Sequence, residues 1–451
     1  MGLFWQKMAY LPLVCALVSC GGGDSESITN TTSDSCSVDN QKVWTRAHLD
    51  DVYLWYNEII NVPKENYATP ESYFDALLVK SKDRFSFVAN TAEINNFQNA
   101  GLDIGYGISW VNDPLHGDSV RVAFVEENSP AAKQGLERGH ILQKIDGKSL
   151  NNFSQAAFVE ALYPQKIGVQ HSFEVTPVVN PKTIVVTLTA QEIVQNPVPI
   201  ARTLTVDNKK IGYLLFNDHN RPASEKLVAA MNSFKAQNID ELLIDLRYNS
   251  GGFLYVAAEL ASMIAGSKVQ NQIFSSFIYN DKHRNQGGNY YFTPVDSQGN
   301  TLPQLNLPRV FVLTGKQTCS ASESLIGALS PFLDVVLIGS ASSCGKPYGF
   351  LQADHCDSTY FAIRYYTANA FGQSTPVKGY KPRCQVNDNL SFALGTSEEV
   401  MFNTSVSYMA TGLCPTWSNN ISQTKTLAVP STSAHTVYHA PWRSNMMIER
   451  Y

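Results

Sequence analysis

Two short apolar runs, 310–313 and 335–338, flank a stretch in which Leu325, Ile326 and Leu329 recur at helical spacing. Uninterrupted apolar runs of this length predict strands buried on both faces, and the spacing between them predicts a helix over 320–329. Strand, helix and strand in this order form a right-handed crossover that joins two parallel strands. Loops leaving both strands then lie on one edge of the sheet, where open α/β sheets hold their ligands. The same alternation begins near residue 200, with a strand at 211–216, a helix at 224–234 and a strand at 241–246, and it runs to about 417.

Upstream the pattern changes twice. Over 36–98 it is helical: Leu49, Val52 and Tyr56 share a face, and Thr69-Pro70-Glu71 opens a helix carrying Tyr73, Phe74, Leu77 and Leu78. This region is expected to be packing material, not part of a site. Over 99–195 short strands alternate with turns. Gly105-Tyr106-Gly107-Ile108 comes first, then an apolar strand at 120–125, a helix start at Ser129-Pro130, and a hairpin turn at Asp146-Gly147. Beyond Cys414 the chain is polar and irregular, and predicts nothing.

Composition narrows the class. The chain has 451 residues, 44% of them hydrophobic and 16% charged, which suits a globular protein of two or three domains. A net charge of −5 and the lack of any basic run argue against nucleic acid as a partner. Positions 11–18 are mostly apolar but too short to span a bilayer, and they end in Leu17-Val18-Ser19-Cys20. That ending resembles a bacterial lipoprotein signal, with 1–19 removed, lipid on the Cys20 thiol and 20–35 a flexible tether. It implies a membrane partner through the lipid anchor. The location expected is the cell envelope, with Gly21 leaning towards the outer membrane; an ordinary secretory signal would change only the anchoring.

Six further cysteines, Cys36, Cys319, Cys344, Cys356, Cys384 and Cys414, suggest disulfides in an exported chain. No Cys-x-x-Cys pair occurs, so no zinc site is expected, nor any other metal or cofactor.

Ser320 opens the predicted helix and Lys346 follows the next strand, so both lie on one sheet edge as a candidate nucleophile and base. Each residue also has a plainer reading. Ser320-x-x-Glu323 is a capping box, and a lone lysine is usually solvated. Gly315-Lys316 is no phosphate loop, because Val310 stands where a glycine is needed and Gln317 where Ser or Thr should hold magnesium. A working pair at Ser320 and Lys346 would bring Cys319 and Cys344 together, which makes them the expected disulfide.

Four elements now stand in order: the 99–195 segment, Asp245-Leu246-Arg247 through Gly251-Gly252, Ser320-Ala321-Ser322-Glu323, and Gly345-Lys346-Pro347. Together, over about 100–385, they resemble the C-terminal processing (tail-specific) serine peptidases. The resemblance implies an α/β fold with a ClpP/crotonase-like peptidase core over 196–417, a β-rich PDZ domain over 99–195, the small N-terminal helical region, and a tail over 418–451. It makes Ser320 the nucleophile and Lys346 the general base of a Ser-Lys dyad. Such a lysine works only when neutral, so burial must lower its pKa from ~10.4 towards ~7–8. The Ala321 amide and that of Gly251 or Gly252 would hold the oxyanion. Gly105, Tyr106, Gly107 and Ile108 would form the loop that captures a terminal carboxylate while the peptide adds as a strand. Asp245 and Arg247 read as structural.

One departure stands out. Many members carry a glutamine four residues after the lysine, where this chain has Phe350, with Gln352 two residues further. A dyad is therefore expected, and the lysine's orienting partner is left open. His219 and His355 are not required, although a tricorn-like role for His219 stays available. The activity implied is an exported serine endopeptidase acting on polypeptides with free C-termini. The alternative is a non-catalytic peptide-binding scaffold lipoprotein of the same fold, against which the intact Ser320 and Lys346 weigh.

Overall fold

The computed structural model describes residues 35–179, 181–416 and 435–437. The expected signal, Cys20 and nearly all of the tether lie outside the described residues. No described helix is long and apolar enough to cross a membrane.

A six-stranded sheet forms the centre, in the order Ile200–Val206, Lys209–Leu215, Glu241–Asp245, Arg309–Thr314, Asp334–Gly339, Cys384–Gln385. The first two strands make a hairpin whose turn residues, Asp207 and Asn208, both have positive φ. The other neighbours are parallel, with Val310 opposite Val335 and Thr314 opposite Gly339. These central strands are apolar on both faces because both faces are covered. Leu242 and Ile244 point into one core with the helices Arg221–Gln237, Leu254–Ala265 and Ala321–Leu329. Leu243 points into the other, with Met401 and Phe402 of the helix Val400–Thr411.

The N-terminal region is not a separate unit. Thr69 Oγ1 accepts from Ser72 N at 3.2 Å and Pro70 occupies the first turn, so the helix Pro70–Leu77 starts where the sequence predicts. Leu49, Val52, Phe74 and Leu77 bury into the same core as the central sheet. The strand Phe87–Asn90 pairs with Ser358–Phe361, well over 200 residues later.

The PDZ-like segment has its own core, built on Trp110, Val122, Phe158 and Phe173. Its sheet runs Ile108–Asp113, Ser119–Val125, Ile141–Ile145, Gln170–Thr176, Ile184–Thr189, which leaves Ile108–Asp113 on the edge. Ser129 Oγ caps the short helix Pro130–Lys133, and Asp146-Gly147 turn with positive φ at both residues. The helix Gln155–Leu162 lies by the edge strand, where Tyr163 OH accepts from Trp110 N at 3.3 Å. Arg138 joins this domain to the core. It donates to Phe392 O (2.9 Å) and Tyr248 OH (2.6 Å), and pairs with Asp388 at 2.5 Å.

Candidate active site

Ser320 sits directly before the helix Ala321–Leu329 with φ 54° and ψ −115°. A residue with a Cβ reaches this conformation only at a cost of ~1–3 kcal/mol, which its surroundings must offset. They do so with several ties. Thr318 Oγ1 donates to Leu246 O (2.8 Å), Cys319 N donates to Asn249 O (3.2 Å), and Ser322 Oγ donates to the same carbonyl (3.1 Å). The disulfide Cys319–Cys344, with Cα atoms 5.1 Å apart, joins this turn to the segment that carries Lys346. Cys36–Cys356 and Cys384–Cys414 are also closed.

Glu323 makes a further tie, and it shows that a capping role and a role beside Lys346 are compatible. Its buried carboxylate accepts from Ser320 N at 3.2 Å, as a capping box requires. The same carboxylate accepts from Gly345 N (2.8 Å), Lys346 N (2.9 Å) and the Ser343 hydroxyl. One side chain therefore fixes the helix start at Ser320 and the backbone at Lys346 relative to each other. Gly345 must be glycine: its φ is +80°, and a Cβ would stand 2.3 Å from Val377 O.

Lys346 is 2% exposed. Its Nζ lies 3.6 Å from the centre of the Phe350 ring and 5.6 Å from that of Phe85. Burial pulls its pKa well below the ordinary lysine value, against the opposing charges of Asp83 and Glu323. Asp83 is itself buried, and accepts from Tyr53 OH (2.8 Å), Phe85 N (2.8 Å) and Ser86 N (2.9 Å). The N-terminal region thus supplies Asp83 and Phe85 to the lysine's surroundings, and the expectation that it only packs is corrected. Local pattern could not show this, because the contact crosses more than 250 residues. Gln352 does not stand in for the missing glutamine: its Nε2 donates to Asp354 at 2.9 Å.

The glycine loop backs onto the serine. A Cβ on Gly251 would lie 2.9 Å from both Ala321 N and Ser320 Cβ, so only glycine lets the chains approach. Gly251 N, however, donates to Asn249 Oδ1 at 2.9 Å, so that amide is already engaged. Gly252 is held through its neighbours instead, by His219 N to Gly251 O (3.1 Å) and Phe253 N to His219 O (2.9 Å), bonds that leave its own amide unused. Ala321 N is the first amide of its helix, where no intrahelical acceptor exists.

His219 braces this loop. Its Nδ1 lies 3.0 Å from Asn249 Oδ1, its ring packs on Phe216, and burial lowers its pKa to about 3, so it stays neutral. His355 stacks on Trp44, and the residues flanking it form a hairpin remote in sequence from the loop.

Asp245 and Arg247 hold the loop's base, as the sequence suggests. Arg247 Nε lies 2.9 Å from Asp245 Oδ1, its two terminal nitrogens meet Glu399 at 3.0 Å each, and Nη1 meets Asp388 at 2.7 Å. Glu399 and Asp388 gave no signal in the sequence, since isolated carboxylates in loops carry none.

In the PDZ segment, Tyr106 O and Gly107 O accept from Ala131 N (3.1 Å) and Glu126 N (2.9 Å). Gly107 has φ +77° and lies against Ser129. Between this domain and the core runs a cleft walled by Ser109, Glu126, Asp218, Ser250 and Gln317 among others. Burial, helped by the Glu127 charge, pushes the Glu126 carboxyl up to about 7, against a bond from Asn196 N; burial likewise raises Asp218. A carboxyl raised in the folded state favours folding fully below its unfolded value near ~4.3, and the effect is lost as pH rises through about 7. Urea midpoints should therefore fall between pH 5 and 8, and Glu126→Gln should flatten that slope; an unchanged slope would show that the carboxyl does not hold its proton.

Residues 40–87 match the peptidase S41 N-terminal domain, 98–170 the PDZ domain, and 210–374 peptidase family S41. A carboxyl-terminal-processing protease of Synechocystis is 23% identical over 359 residues, 78% of this chain and 79% of its own. Carboxyl-terminal-processing peptidase 2 of Arabidopsis thaliana is 27% identical over 310 residues, 63% of this chain; the match spans only 55% of that relative's length. A crystal structure described as an S41 protease from Bacteroides fragilis shares the fold at TM-score 0.66 and 24% identity, covering 82% of this chain and 97% of its own. The molecule is an α/β protein that carries a PDZ domain. Its 210–374 segment is similar to peptidase family S41, and 40–87 to that family's N-terminal domain.

Proposed function

We propose that this chain is an exported serine endopeptidase that cuts polypeptides near their C-termini, with Ser320 as nucleophile and Lys346 as general base. The observation that carries the reading is the buried lysine, its ammonium site walled by Phe350 and Phe85 and its backbone tied to that of Ser320 through Glu323. Neutral Lys346 takes the Ser320 Oγ proton as Oγ attacks the scissile carbonyl. The Ala321 and Gly252 amides receive the oxyanion. The lysine then passes its proton to the leaving amine, and water repeats the sequence to free the acyl group. The Gly105–Ile108 loop takes the substrate's terminal carboxylate, and the edge strand Ile108–Asp113 accepts its extended chain. Export and lipid attachment at Cys20, placing the protein in the bacterial cell envelope, are supported by the 1–20 pattern and by three closed disulfides.

A fluorophosphonate probe tests the nucleophile. It should label the parent at Ser320 and leave Ser320→Ala unlabelled, whereas a scaffold stays dark in both forms.

Phe350 answers in part for the absent glutamine. An aromatic face attracts an ammonium by ~0.5–2 kcal/mol, which favours the charged lysine. Phe350→Leu removes that attraction and should move the acid limb of the kcat/KM profile to lower pH, by about 0.4–1.5 pH units. A limb that stays in place would show that the ring does not set the lysine's protonation.

A further inference from the structure

Three residues from beyond the last helix lie on the PDZ domain, between the edge strand Ile108–Asp113 and the helix Gln155–Leu162. Asn112, on the strand, donates from Nδ2 to His435 O (3.0 Å) and accepts at Oδ1 from Val437 N (2.7 Å). Gln155, on the helix, donates from Nε2 to Thr436 O (2.7 Å) and accepts at Oε1 from Thr436 N (3.2 Å). Each carboxamide thus copies the paired N–H and C=O of a β-ladder, and both read backbone only. Side chains supply the anchors. The His435 ring stacks on Phe158 with centroids 5.2 Å apart, and Val437 packs against the domain's apolar core. No terminal carboxylate takes part, since Tyr438 follows Val437 in the chain.

The segment also stands where a ligand of the groove must pass. A peptide whose end is held at Gly105–Ile108 extends along the edge strand towards Asn112, four residues on. At ~3.3 Å per residue that distance is roughly 13 Å, so a bound tail of more than about four residues meets His435–Val437. The same three residues wall the cavity between the PDZ domain and the core, together with Tyr248, Lys316 and Gln317. Gln317 precedes the nucleophile by one turn of chain.

We propose that His435–Val437 is an internal occupant of the PDZ groove, which competes with polypeptide substrates for the edge strand. The groove accepts extended internal segments with an imidazole or aromatic ring two residues before a β-branched side chain. Attachment to the same chain gives the occupant an effective concentration of roughly millimolar, so weak intrinsic binding suffices to keep the groove mostly filled. The activity arm below rests on the peptidase reading; the binding arm does not.

The test uses the full chain with Thr436→Pro and Val437→Asp, which remove the N–H that Gln155 accepts and put a charge on the apolar anchor. In a Ser320→Ala background, a fluorescent peptide of residues 431–441 should bind the substituted chain about tenfold more tightly than the parent by anisotropy. Asn112→Leu should abolish that binding in either chain. With Ser320 intact, the substituted chain should cleave an unfolded protein with a KM about tenfold lower and kcat unchanged. Equal peptide binding by both chains, or binding by neither, overturns the proposal whether or not the protein is a peptidase. A KM that is unchanged or higher overturns the competition itself. Absence of cleavage by every form, with the binding difference intact, would sink only the peptidase reading.

Discussion

Cleavage of an unfolded protein falls by about 10⁴-fold or more in Ser320→Ala and in Lys346→Ala, and the double variant is no slower than either single one. Residues that act as one unit lose their function together, because a serine without its base and a base without its serine are equally idle. Lys346→Met is the cleaner probe, since it keeps the apolar stem and leaves less of a cavity. Cleavage that survives Ser320→Ala removes the nucleophile from the mechanism, and cleavage retained by Lys346→Met removes the base. The pH dependence follows from the same burial. Lowering the lysine's pKa makes the neutral form accessible, so kcat/KM should rise with pH through that depressed value. For stability, a pKa depressed in the folded state contributes fully above the unfolded value near ~10.4 and is lost as pH falls through the folded one. At neutral pH and below, Lys346→Met should therefore melt higher than the parent while being inactive. A lower melting temperature would show that the lysine is a structural cation.

Arg247→Leu should lower the melting temperature by roughly 6–20 °C, the equivalent of about 3–5 kcal/mol in a domain of this size. The cost arises from the partners left behind. Asp245 and Glu399 are fully buried and share one guanidinium, with Tyr213 OH donating to Asp245 at 2.8 Å. Removing the cation strands two carboxylates in an apolar interior. Arg247→Lys should not rescue it, because a single ammonium cannot serve both carboxylates through a planar fork. Activity should fall further than stability explains, since the next turn of this loop carries Gly251 and Gly252. Asp388 adds an acid signature: burial opposes its ionisation, but Arg138 and Arg247 hold it down to about 2. Its contribution is present above ~3.9 and lost as pH falls towards 2. A melt within 3 °C of the parent would show that the network is not what holds the loop.

Features of short range were legible in the chain by itself. Apolar runs and helical spacing placed the parallel strands around 310–313 and 335–338 and the helix between them, because both faces of those strands are covered. Thr69, Ser129 and Asp146-Gly147 marked caps and a turn correctly, since these depend on side-chain and backbone chemistry within three or four residues. Topology alone put Ser320 and Lys346 on one sheet edge. What only the folded chain decided are contacts between segments hundreds of residues apart. Asp83 and Phe85 come to Lys346 from a region that reads as packing, Glu399 and Asp388 close on Arg247, and His435–Val437 settle against Asn112 and Gln155. Even which of the Gly251 and Gly252 amides is already engaged turned on a hydrogen bond to Asn249. Sequence pattern reports which side chains seek burial, whereas the protonation of a lysine or the use of an amide depends on what else is buried beside it.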